Sequence, residues 1–238
     1  VQTIPEDAHA HDIKKIILRR EGAQLPFTEE ENIQGKKYFS SIQEKLKDKV
    51  LITAVCDKHF SSMDFDNDDI IKYQNSEALI ESDLIDAVLI STPHYDHTPI
   101  GCAALNKGLH VLLEKPISVH KNDCLTLIEC FRNRPSAEQI FAVMFNQRTD
   151  PRYKKIKEMI DNYELGELRR MNWIITDWFR TDAYYNSGNW RATWDGEGGG
   201  VLMNQSPHQI DILWWLFGIP NLVWGQCRFG QWHDIEVE

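Results

Sequence analysis

The sequence predicts a doubly wound α/β domain with a parallel sheet, followed by a smaller α+β domain with an open sheet, and three observations predict it. Short apolar runs recur at 50–56 (VLITAVC), 85–92 (IDAVLIST), 110–114 (HVLLE) and 140–145 (IFAVMF). Their residues are apolar at successive positions, as in strands covered on both faces of a parallel sheet. Stretches with helical spacing separate them, so strand and helix alternate. After Phe145 that alternation stops, which places the boundary between domains 1–145 and 146–238.

Taken in order, 13–18 (IKKIIL) is the candidate first strand. A helix follows over 35–46, where Tyr38, Ile42 and Leu46 stack four apart. Further helices are expected over 97–107 and over 121–132, the second with Leu125, Ile128 and Phe131 on one stripe. In the second domain a helix over 151–163 opens with Pro151 in its first turn and closes near Gly166. The alternation of Met171, Trp173 and Ile175 predicts a long strand over 167–179 with one covered face. A Gly- and Trp-rich loop at 184–200 leads into a helix over 201–217, which Pro207 should kink. Strands are expected at 221–229 and 235–238, and a sheet ending there leaves an edge open, so this domain reads as cut short.

Composition narrows the function. Hydrophobic residues at 42% and charged residues at 26% fit a globular chain. The 26 basic and 36 acidic residues leave a net charge of −10 and no basic run, which argues against nucleic acid as a partner. No apolar stretch approaches the ~18 residues of a membrane span, and no secretory leader is visible. Five cysteines without C-x-x-C spacing point to a reducing, cytoplasmic setting rather than a structural zinc.

Three groups of residues carry chemistry. Asp57 ends the strand at 50–56, where dinucleotide-binding folds place the acidic residue that holds the adenosine ribose, roughly 20 residues past a glycine-rich turn. Counting back, Gly35 stands at the third glycine of that turn, while Glu30 and Asn32 occupy the first two positions. The segments 91–97 (STPHYDH) and 108–116 (GLHVLLEKP) both follow predicted strands and so reach the sheet edge that binds ligands. Pro116 holds Lys115 in extended geometry and permits a cis bond. In 198–211 (GGGVLMNQSPHQID), a continuous helix would set Asn204 and His208 on one face with Asp211 a turn further on, a setting for proton transfer near neutral pH. Read alone, Asp57 is equally a turn residue, Lys115 a snorkelling lysine and His208 a core histidine. The nine histidines are scattered, and His94 and His97 lack further ligands at useful spacing, so no metal site is expected.

Together VCD, STPHYDH, HVLLEKP and GGGVLMNQSPHQID resemble the Gfo/Idh/MocA oxidoreductases, which include glucose–fructose oxidoreductase and inositol dehydrogenase. The resemblance runs from about Val50 to the end of the sequence. It implies a Rossmann domain joined to an open-sheet domain, with NAD or NADP used to oxidise or reduce sugars, polyols and related compounds. By that resemblance Lys115 polarises the substrate oxygen and His208 is the general acid/base. Asp57 contacts the ribose, and Thr92, Pro93, His97 and Glu114 line the nicotinamide side next to Lys115 and Pro116. Arg180, Tyr184, Trp190 and Arg191, in the loop before the catalytic helix, would grip a hydroxyl-rich ligand together with Asn204. The open sheets of such proteins usually pair, implying a homo-oligomer. This sequence departs from the family at the glycine-rich turn and at Asn204, where many members have Asp. Two other readings stay open: a non-catalytic or fragmentary relative, and an NAD-dependent glycoside hydrolase on the same fold. Asp57 favours NAD by repelling a 2′-phosphate, whereas Lys58 beside it would offset that.

Overall fold

The computed structural model describes residues 49–58, 69–176, 179–186, 190–228, 230 and 232–238; the strand expected at 13–18, the helix at 35–46, and Glu30, Asn32 and Gly35 lie outside them. The chain divides between Met144 and Phe145 into two compact units.

In the first unit five short strands are described, β1 (Ala54–Cys56), β2 (Ile71–Tyr73), β3 (Ala87–Ile90), β4 (His110–Leu113) and β5 (Phe141–Val143). They form two ladders, β1-β2 and β3-β4-β5, with every pair parallel. Ala54 lies opposite Ile71, Ala87 opposite His110 and Val111 opposite Phe141. Four of these strands fall within the apolar runs, and β1 and β3 are buried at every position, as a sheet covered on both faces requires. β2 was not foreseen, because Ile71 and Lys72 are exposed and an edge strand leaves no apolar run in the sequence.

Helices α1 (Ser76–Ile80), α2 (His97–Lys107) and α3 (Lys121–Arg132) cover these ladders. The unforeseen α1 is too short to show a period; Asn75 starts it by accepting bonds from the Glu77 and Ala78 N–H groups. α2 ends at Gly108, whose φ of +94° supplies the left-handed turn that sends the chain into β4. A Cβ on Gly101 would lie 2.7 Å from Leu127 Cδ2, so glycine here lets α3 settle closely on α2. Ile90, Leu105, Val111, Leu113 and Leu127 form the centre of the core. Gln139 closes its lower end by donating from Nε2 to the carbonyls of Leu105 and Leu109 at 2.9 and 2.6 Å.

The second unit holds α4 (Pro151–Asp161), α5 (Asp182–Asn186), α6 (Val201–Asn204) and α7 (Pro207–Phe217). Asp150 caps α4 from its side chain and Pro151 opens it, as the sequence predicts. Three expected strands do not form among the described residues: 167–176, 221–228 and 235–238 are irregular. A strand needs a neighbour to receive its N–H and C=O groups, and no ladder is described in this unit. Without one, Trp173 and Ile175 remain 37% and 45% exposed where a covered face was expected. The helix expected over 201–217 is two helices, broken at Gln205–Ser206. Pro207 has no N–H and would clash with a carbonyl one turn back, so it begins a new helix instead of bending an old one. Among the described residues no helix is long and apolar enough to cross a membrane.

Candidate functional site

In the first unit the chemistry gathers where β1, β3 and β4 end. Asp57 follows β1 and is only 4% exposed, and its N–H donates to the Tyr73 carbonyl at the end of β2, 3.0 Å away. Next to it, Lys58 Nζ reaches Asp96 Oδ2 at 3.4 Å, which ties the end of β1 to the turn after β3. Thr92 is fully buried in that turn, and its Oγ1 has no hydrogen-bond partner among the described residues. Pro93 then precedes a single 3-10 turn, His94–Asp96.

His97 opens α2 and is fully buried, with Nδ1 2.8 Å from the Pro116 carbonyl and Nε2 3.0 Å from the Thr92 carbonyl. Only an imidazolium could donate to both. Burial nevertheless holds the His97 pKa below its ordinary value, and the carbonyls and Asp96 only partly oppose that. The ring therefore acts as a neutral strut, one nitrogen donating, between the loops after β3 and β4. Glu114, half-buried, accepts the Lys115 N–H at Oε2, 3.2 Å away. Burial raises its pKa, against the pull of the Lys115 N–H and ammonium. The Lys115–Pro116 peptide is cis. One edge of the unit thus collects Asp57, Thr92, Pro93, His97, Glu114, Lys115 and Pro116. A buried carboxylate and a buried hydroxyl on the same edge are polar groups that fit the hydroxyl groups of a dinucleotide.

The second unit collects another group. Asn204, at the end of α6, is buried and donates from Nδ2 to Glu197 Oε1, with Tyr184 Oη 3.4 Å from the same nitrogen. Glu197, 2% exposed, accepts the Ala192 N–H at its other oxygen, 2.8 Å away. Ala192 has a φ of +50°, a left-handed conformation that costs an alanine energy, and the carboxylate secures it. Gly196 is required in this turn, since a Cβ there would lie 2.4 Å from Trp190 Cα. Arg191 donates from Nη1 to Tyr184 Oη at 2.8 Å. The Arg180 and Arg191 guanidinium carbons lie 4.7 and 4.4 Å from the Tyr184 ring centroid, and Arg191 also lies 4.6 Å from that of the buried Trp190. Arg180, Tyr184, Trp190, Arg191 and Asn204 are therefore one cluster.

His208 is the second residue of α7, half-buried, with its ring edge-on to Phe145 at 6.2 Å and 89°. The break before Pro207 means that Asn204 and His208 belong to different helices and not to one face of a continuous helix. Asp211 was expected to support His208 from one turn away. Both of its oxygens instead accept from Arg148, at 2.7 and 2.6 Å, which anchors α7 to the segment after β5. Sequence reasoning missed Glu197 and Arg148. A Glu inside a glycine-rich turn reads as solvated, and the only signal against that is that a buried Glu must find partners. Among the described residues no cluster of His, Cys, Asp or Glu is placed to hold a metal ion.

Comparison with known proteins agrees with this architecture. The family model for an oxidoreductase family with an NAD-binding Rossmann fold matches residues 30–141, and that for the GFO/IDH/MocA C-terminal domain matches residues 153–238. Oxidoreductase P35 of Formosa agariphila is 33% identical over 159 residues, which is 66% of this chain and 49% of that protein. Inositol 2-dehydrogenase of Corynebacterium glutamicum is 27% identical over 144 residues, or 60% of this chain and 38% of that protein. This chain thus spans about half or less of the length of these relatives. The WlbA dehydrogenase from Chromobacterium violaceum, solved with NADH and UDP-GlcNAcA, shares the fold with a TM-score of 0.68 at 21% identity, over 87% of this chain and 56% of that one. The chain belongs to the GFO/IDH/MocA family of NAD-binding oxidoreductases.

Proposed function

We propose that the chain binds NAD in preference to NADP and transfers hydride between it and a hydroxyl-bearing carbon of a sugar, polyol or related compound. The observation that carries this reading is Asp57, a buried carboxylate at the carboxyl end of β1, on the edge that also gathers Thr92 and the Glu114–Pro116 turn. Relatives that act on inositol, and a solved structure holding a nucleotide sugar, support a hydroxylated ring as substrate.

A bound nicotinamide would supply the hydride chemistry. In this reading the chain's own residues bind, orient and move the proton. Asp57 accepts hydrogen bonds from ribose hydroxyls. Lys115, set at the end of β4, stabilises charge developing on the substrate oxygen. His208 accepts the hydroxyl proton as hydride leaves the carbon. Asn204 binds a substrate hydroxyl, with its amide orientation fixed by Glu197. Asn204 thus offers a neutral amide with the Glu197 carboxylate one side chain behind it.

The test is a titration of the purified chain with NADH and then NADPH, following the fluorescence of the reduced nicotinamide. Saturable NADH binding that Asp57→Ala weakens about tenfold or more supports the reading, since roughly 1.4 kcal/mol is tenfold in affinity. A chain that is folded by circular dichroism yet binds neither cofactor at millimolar concentration sinks it. With binding in hand, a screen of sugars and polyols should find turnover that Lys115→Met abolishes and that His208→Gln abolishes without loss of NADH affinity.

A further inference from the structure

Cys102 and Cys130 face each other where α2 packs on α3, with Cys130 Sγ donating to Cys102 Sγ at 2.7 Å. The close approach has a cause in the fold: Gly101, next to Cys102, leaves no room for a side chain against Leu127, so the two helices meet backbone to side chain. Both thiols are free and partly buried at the rim of the core. Neither belongs to the cofactor edge or to the cluster around Asn204.

We propose that Cys102 and Cys130 are a covalent modification site, a dithiol that a small-molecule disulfide converts to an α2–α3 cross-link. The Cys130 thiolate attacks one sulfur of the small disulfide, forming a mixed disulfide and releasing one thiolate. Cys102 then gives its proton to solvent and attacks Cys130 Sγ, forming the protein disulfide and releasing the second thiolate. Two protein thiols and one disulfide become one protein disulfide and two small thiols, so electrons and protons balance.

Closing this ring needs little movement, since a disulfide bond of about 2.05 Å is only a fraction of an ångström shorter than the present contact. The helices already hold the two sulfurs close together, and the cross-link closes a loop of 28 residues. Burial, followed by the hydrogen bond and charge of Cys130, pushes the Cys102 thiol up to about 12. Cys102 is therefore the poorer first nucleophile, and the second step should govern the rate. Once Cys130 is in the mixed disulfide its thiolate charge is gone, and burial alone opposes ionisation of Cys102.

The experiment incubates the reduced full chain with oxidised glutathione and maps disulfides by mass spectrometry of non-reduced peptides. Exposed Cys227 reports that the reagent is active. The expected result is a peptide linking Cys102 to Cys130, formed faster as pH rises. Cys130→Ser should abolish the link while leaving glutathione on Cys227. The cross-linked chain should melt roughly 5 °C higher than the reduced one. A stable glutathione adduct on Cys130 with Cys102 still free would overturn the proposal. So would two unreacted thiols in a sample whose Cys227 is fully modified.

Discussion

The buried imidazole of His97 gives the first unit a pH dependence with a definite sign. Its folded pKa lies below the ordinary value, and burial lowers that of His110 as well. As pH falls through the ordinary histidine range, the unfolded chain takes up protons that the folded chain refuses. Stability is therefore full above that range, declines as pH drops through it, and levels off below the lowered folded values. Unfolding in urea between about pH 7.5 and 5.5 should show this decline, and His97→Gln should flatten it toward the share of His110. An unchanged slope in a folded variant would remove His97 from the account. Glu114 acts with the opposite sign: its raised pKa favours the folded state at low pH, and that contribution is lost as pH rises through its folded value. In the second unit the residue to watch is Glu197. Glu197→Ala orphans the Ala192 N–H, removes one partner of the Asn204 amide and frees a strained backbone, so it should lower unfolding free energy by about 2–4 kcal/mol. A loss within about 0.5 kcal/mol, typical of surface changes, would contradict the burial seen here.

Among the elements, α2 and α3 run over the same residues the spacing predicts, because apolar stripes, Gly108 and the strands on either side all agree. The four apolar runs of the first unit likewise became strands, shorter by one to four residues at their ends. What the sequence did not show has a physical pattern. β2 and α1 are too short or too exposed to leave a period. The alternation at 167–179 says which side chains would face a neighbour and not whether a neighbour exists. Pro207 signalled a disturbance, but whether it bends a helix or begins one depends on how the two segments pack. The candidate site divides in the same way. Residues at strand ends were legible from position alone, whereas Glu197 was not, because its partners are backbone and amide groups drawn together by a turn. Gly108 offers a test at this scale: Gly108→Ala keeps the helix but strains its left-handed end, and should cost about 1–2 kcal/mol by chemical denaturation.

At the scale of the whole molecule, the proposed cofactor contacts all lie on one edge of the first unit. Hydrogen exchange with and without NADH should show protection concentrated in peptides spanning 54–58, 90–98 and 111–118. Protection confined to the second unit would move the cofactor site elsewhere. The ion pair between Lys58 and Asp96 bears on which nicotinamide cofactor the proposed site would accept. Lys58 is the cation nearest in sequence to Asp57, and the Asp96 carboxylate partly neutralises it in place. A phosphorylated ribose would find a carboxylate facing it and its natural counter-charge already engaged. In the proposed role, this small surface bridge would favour NAD over NADP as the cofactor. Asp96→Asn should release Lys58 and raise the affinity for NADPH relative to NADH several-fold at low salt, which paired titrations would read directly, and raised salt should shrink that gain by screening Lys58 from the phosphate.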